Sequence, residues 1–226
     1  MTGTDTGVGK TYAAVALVRA LVQQGLRVAV MKPVAAGALS TPEGLRNADA
    51  TALMAAANVI AEYADVNPYC LRAPVSPHIA AAEDGVRIDI GHILRCFEGL
   101  AARADWIVVE GAGGWLAPLN GQQTVADLAH ALGLPVVLVV GLRLGCLNHA
   151  LLSARAIETA RVPLAGWIAN HVDAHFERAA ENLATLEHLL GSALARIPYA
   201  GAAEPNAVPS EAVAASSTAV ARLLAM

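Results

Sequence analysis

Met1-Thr-Gly-Thr-Asp-Thr-Gly-Val-Gly-Lys10-Thr11 decides the reading of this chain. The run Gly7-Val8-Gly9-Lys10-Thr11 has the ending of a phosphate-binding loop: glycines, a lysine, a hydroxyl residue and then a helical stretch. Glycines let the backbone turn tightly and aim several N–H groups inward. The helix that follows points the positive end of its dipole at the same spot. In that arrangement Lys10 reaches the β- and γ-phosphates and the Thr11 hydroxyl takes a place on Mg²⁺. One feature departs from the usual spacing: Thr4 stands where the first glycine belongs, and Gly3 lies one position earlier. A glycine-rich helix start with no nucleotide is the competing account of the loop alone. Such a loop is normally fed by a buried strand, and only Met1 and Thr2 precede it here. The first strand is therefore expected to be a stub, or to be completed by residues upstream.

Outward from the loop, apolar positions in 10–24 fall on one helical face and stop at Gly25. Short apolar strands are expected at 27–31, 105–109, 136–140, 164–169 and 194–198. Helices are expected at 49–58, 79–83, 89–103, 124–132, 146–159 and around 175–190, with a helical tail past Val208. Residues 35–47 and 67–78, rich in Gly, Ser and Pro, read as loops. Short, continuously apolar strands alternating with helices predict an α/β fold, a parallel sheet with helices on both faces. This is the three-layer, Rossmann-like architecture of P-loop NTPases. No internal repeat or break in composition appears, so residues 1–226 read as a single ATP-binding domain.

The 226 residues suffice for one sizeable core, and the net charge of −4 offers no basic field for nucleic acid. Cys70, Cys96 and Cys146 are scattered, without metal-ligand spacing, which points to reduced thiols in a cytoplasmic protein. The longest apolar run, 134–142, is too short to span a bilayer and contains Pro and Gly.

In such a sheet ligands bind at the carboxyl ends of the strands, so the polar residues just past each strand carry the information. These are Lys32, Glu110 with its following glycines, the Gly145-Cys146-Leu147-Asn148 turn, Asn170, and Pro198-Tyr199. Glu110 ends a run of large apolar residues, the layout of a Walker-B carboxylate that faces Mg²⁺; a solvated strand-end glutamate is the plainer account. Lys32 alone reads as readily as a surface lysine. Cys146 has no histidine-base pattern around it and reads better as a small residue at a helix start than as a nucleophile. His78 and His149 have no partner at metal-ligand spacing.

The strings Thr2-Gly-Thr-Asp-Thr-Gly-Val-Gly-Lys-Thr11, Met31-Lys-Pro-Val-Ala35, Thr41-Pro-Glu-Gly-Leu-Arg-Asn-Ala-Asp49, Val66-Asn-Pro-Tyr69, Ser76-Pro-His-Ile79, Val109-Glu-Gly-Ala-Gly-Gly-Trp115 and Leu144-Gly-Cys-Leu-Asn-His149 occur in order. Together they resemble the dethiobiotin synthetases, up to about residue 172. The resemblance implies an ATP- and Mg²⁺-dependent ligase that closes a ureido ring on 7,8-diaminononanoate with CO₂ or bicarbonate, releasing ADP and phosphate in biotin biosynthesis. It implies that Thr11, Asp49 and Glu110 hold Mg²⁺ and that Lys10 and Lys32 are catalytic. Gly7, Val8, Gly9, Lys10, Thr11 and Tyr12 would wrap the ATP phosphates, with Gly111, Ala112 and Gly113 beside them. Asn170, His171, Pro198, Tyr199 and Ala200 would frame the adenine. Ala36, Gly113, Gly145, Cys146 and Asn148 would contact the substrate, near the interface of a homodimer.

Departures from the family pattern are Ala36, where a serine often contacts substrate, and Gly7, where an acidic residue is frequent. Losing the serine removes a hydrogen bond worth about 1 kcal/mol. Two other readings compete. A ParA/MinD-like ATPase switch usually carries a second lysine where this chain has Asp5. The ATP-using part of a cobyrinate-type amidotransferase would need a glutaminase site for which the chain has no room. No membrane or nucleic-acid partner is expected.

Overall fold

Strands β1 (Thr2–Gly3), β8 (Val136–Leu142), β9 (Leu164–His171) and β10 (Ala195–Ile197) hydrogen-bond in the order β1-β8-β9-β10, all parallel. They belong to a computed structural model that describes residues 1–201 and 208–225. Strand β2 (Val28–Met31) pairs in parallel with β7 (Trp106–Val109). That pair stands beside β1, since the Gly111 N–H donates to the Met1 carbonyl at 2.9 Å and Gly3 bridges to Gly114. In the sequence given, the first strand is two residues long.

Strand β8 shows why these runs are apolar throughout. Val137 and Val139 enter one core with Leu17 and Ile93, whereas Val136, Leu138 and Val140 enter another with Trp167 and Ile157. Side chains alternate across a strand, so a sheet covered on both faces needs apolar residues at every position. Each fully buried Val or Leu contributes about 1.5–3 kcal/mol relative to exposure. One face is covered by α1 (Lys10–Gln23), α2 (Ala48–Ala56), α5 (Ile90–Ala101) and α9 (Ser210–Leu224). The other is covered by α7 (Cys146–Thr159) and α8 (Ala179–Leu190), while α6 (Val125–Leu132) touches both cores. Helix α1 ends where Gly25 turns to φ 80°, a backbone that favours glycine.

The two expected loops are corrected in part. They contain β3 (Val34–Ala36) paired with β6 (Tyr69–Leu71), an antiparallel hairpin of β4 (Leu39–Thr41) and β5 (Gly44–Arg46), and the start of α4 (Pro77–Glu83). Just ahead of β6 lies the four-residue helix α3 (Tyr63–Val66), also unforeseen. Elements of three or four residues repeat the strand or helical period too few times for a pattern to announce them. The cap of α2 is Asn47 rather than Asp49, and α8 begins at Ala179, later than expected. Among the described residues, no helix is long and apolar enough to cross a membrane.

Candidate active site

The carboxyl ends of β1, β2, β7, β8 and β9 converge around the loop that leads into α1. Gly9 closes that loop at φ 78°, and a Cβ there would lie 2.1 Å from Asn170 Nδ2. Only a glycine fits both conditions. Asn170 Nδ2 donates to the Val8 carbonyl at 2.9 Å and so braces the loop from behind. Sequence reasoning placed Asn170 just after its strand; it lies inside β9, paired with Gly141 and Ile197.

Thr11, Lys32, Asp49 and Glu110 meet at one buried point. Thr11 Oγ1 donates to Glu110 Oε1 at 2.8 Å, and Lys32 Nζ donates to the same oxygen at 2.5 Å. Lys32 Nζ also lies 3.1 Å from Asp49 Oδ2. Glu110 is 0% exposed, and its second oxygen, Oε2, is buried with no partner. Burial works to lower the Lys32 pKa, but the Glu110 and Asp49 carboxylates outweigh it and hold the ammonium above the ordinary lysine range. Lys32 is thus no surface lysine.

The orphaned Glu110 oxygen, the Asp49 carboxylate and the Thr11 hydroxyl are hard oxygen donors of the kind Mg²⁺ takes. Among the described residues no group of three or more His, Cys, Asp or Glu could hold a metal by itself. This donor set suits an ion that completes its shell with phosphate oxygens and water.

Lys10 Nζ donates to the Asp5 carbonyl at 2.8 Å. The Asp5 carboxylate in turn meets Arg143 Nη2 at 2.7 Å, which ties the phosphate loop to the turn after β8. Sequence reasoning missed Arg143, whose one available signal was a charge directly after a strand end. Past it, Gly145 starts α7 in the left-handed region, with Gly145 and Asn148 exposed. Cys146 is 2% exposed and its side chain packs in the core, so only its backbone faces this end of the fold. Pro198 and Tyr199 are exposed past β10, and His171 is the last residue of β9. The Ala36 carbonyl accepts from Asn47 Nδ2 at 3.1 Å. Tyr12 packs against the core with its hydroxyl buried and unpartnered.

A family model described as an AAA domain matches residues 1–207. The ATP-dependent dethiobiotin synthetase BioD of Xanthomonas oryzae pv. oryzae is 50% identical over 208 residues, which cover 92% of this chain and 93% of that one. The chain belongs to the dethiobiotin synthetase family. A second synthetase of the same name, from Pseudomonas paraeruginosa, is 50% identical over 210 residues, 92% of each chain. Among solved structures, the MinC:MinD cell division protein complex of Aquifex aeolicus matches with a TM-score of 0.62 at 18% identity, covering 100% of this chain and 94% of that one. A ParA family ATPase from Chlorobium tepidum TLS matches with a TM-score of 0.53 at 13% identity, covering 98% of this chain and 90% of that one. At such identities the likeness is one of fold, and it places this synthetase-family chain among P-loop NTPase architectures.

In this member of the synthetase family, burial and then the nearby charge of Lys32 lower the Lys10 ammonium from 10.5 to about 8. A bound phosphate would raise it again. Below pH 8 the side chain is already charged and binding needs no proton; above it, each nucleotide bound takes one up. Nucleotide affinity is expected to be level between about pH 7 and 8 and then to fall by roughly tenfold per pH unit. Calorimetry of ADP binding in buffers of different ionisation heat measures both quantities. An affinity that does not weaken between pH 8 and 10 would refute the assignment of Lys10 to the phosphates.

Proposed function

We propose that this chain closes the ureido ring of dethiobiotin from 7,8-diaminononanoate and CO₂, converting ATP to ADP and phosphate. One observation carries the reading beyond family membership: the Lys32 ammonium sits buried between the Glu110 and Asp49 carboxylates at the mouth of a phosphate loop. One amine of the substrate captures CO₂ as a carbamate, releasing a proton. A carbamate oxygen then takes the γ-phosphoryl group of ATP, and the second amine attacks the resulting mixed anhydride and displaces phosphate.

Phosphoryl transfer needs placement and charge neutralisation more than acid–base groups. The amides of Gly7, Val8 and Gly9 and the Lys10 ammonium would hold the β- and γ-phosphates, and Lys32 would steady the carbamate. Thr11, Asp49 and Glu110 would hold Mg²⁺, which supplies further neutralisation of phosphate charge when bound. The exposed start of α7 at Gly145–Asn148 would seat the substrate's tail carboxylate, since helix N-termini favour anions. Leu144, 89% exposed beside that seat, suits burial by a second copy in a homodimer.

The test mixes the protein with MgATP, bicarbonate and 7,8-diaminononanoate and follows ADP with and without the diamine. ADP release that depends on the diamine is the expected result. Release indifferent to it would favour a switch ATPase of the kind the fold neighbours represent.

A further inference from the structure

The Val66-Asn-Pro-Tyr69 string has no role in the mechanism above, yet it sits directly behind the reacting groups. Lys32 and Asp49 come from different segments, the turn after β2 and the first turn of α2, and no strand ladder joins them. A chain of hydrogen bonds does. The Tyr63 hydroxyl accepts from the Asn47 N–H at 2.8 Å and donates to Asn67 Oδ1 at 3.0 Å. With its oxygen so engaged, the Asn67 amide turns Nδ2 toward the Lys32 carbonyl, at 2.6 Å. The Lys32 N–H meanwhile donates to the Val66 carbonyl at 2.8 Å.

At the other end, Asn47 Oδ1 accepts from the Asp49 N–H at 3.0 Å and caps α2. Asn67 is 2% exposed and Asn47 7% exposed, so neither amide has water to turn to. The Arg46 guanidinium lies 4.2 Å over the Tyr63 ring and fixes its plane. One phenolic oxygen therefore links the two backbone stations that flank the Lys32–Asp49 pair, while Asn47 is held in addition by the Ala36 carbonyl and Lys32 by the Val66 carbonyl.

We propose that Tyr63 and Asn67 are positioning residues that hold the Lys32 ammonium and the Asp49 carboxylate in register for the reaction. The inference rests on the proposed function for the identity of that reaction. Displacing a reacting group by about 1 Å costs on the order of 10²-fold in rate even when the changed residue is remote. Binding through the phosphate loop does not pass through this network, so the loop's own affinity is the internal control.

Tyr63→Phe removes the hydroxyl while keeping the ring under Arg46. Diamine-dependent turnover is expected to fall about tenfold or more, and the Mg²⁺ concentration that half-saturates its effect on ADP binding is expected to rise severalfold. ADP affinity without Mg²⁺ should stay unchanged. Asn67→Asp keeps the acceptor facing Tyr63 but loses the donor to Lys32; it should behave alike and decides the matter should Tyr63→Phe fail to fold. Native turnover with a native Mg²⁺ requirement overturns the proposal. So does a loss of metal-free ADP affinity in proportion to turnover, which would mean general loosening. If the unmodified protein ignores the diamine, the functional reading fails, while the Mg²⁺ and ADP titrations still judge the network.

Discussion

Lys32→Met is expected to destabilise the fold by about 3–5 kcal/mol and to lower diamine-dependent turnover by roughly 10²-fold or more. Lys32 is 4% exposed, and its ammonium is shared between a fully buried Glu110 and a half-buried Asp49. Methionine fills the space of the stem but leaves Glu110 buried with only the Thr11 hydroxyl as partner. Removing one member of a buried ion pair costs more than the pair contributes, because the remaining charge keeps its desolvation penalty. The double variant Lys32→Met with Glu110→Gln removes both charges, so it is expected to regain most of the stability while staying inactive. Urea unfolding measures the first effect and ADP release the second. A loss below about 1 kcal/mol in the single variant would show that Glu110 does not depend on Lys32.

Lys10→Ala separates function from stability in the opposite way. Turnover is expected to fall by at least 10²–10³-fold, since the proposed function makes Lys10 the cation that faces the transferring phosphoryl oxygens. Stability at pH 7 is expected to hold or rise, with no fall in Tm. The reason lies in the direction of its pKa. Burial depresses the folded-state value to about 8, below the 10.5 of an ordinary lysine, so at pH 7 the charged form costs the fold rather than supports it. That cost fades as pH rises from 8 toward 10.5. Calorimetric melting and the diamine assay check both halves, and normal turnover would remove the loop from the mechanism.

Groups whose meaning is local could be read without coordinates. Lys10 and Thr11 follow their glycines directly, and Glu110 follows an apolar strand; each stands where the string placed it. Lys32 was legible as a strand-end cation but not as a buried one, because its partners lie 78 residues away in Glu110 and beyond strands β3, β4 and β5 in Asp49. Asp49 and Asn47 are both good helix caps, and only the bond from the Asp49 N–H to Asn47 Oδ1 decides between them. Asn170 was placed outside its strand because the apolar run ends before the ladder does. Helix α3 was missed outright: it is four residues long, and its worth lies in one hydroxyl bonded to segments on either side.

The parallel topology also governs when the pocket comes into being. Thr11 and Glu110 are 99 residues apart in sequence, and their hydrogen bond joins the first turn of α1 to the residue just past β7, which no hairpin brings together. Contacts of such long range form late, after slow loop closures. A partly assembled chain therefore owns no ATP-gripping surface to rescue it, and nucleotide can add to stability only through the finished fold.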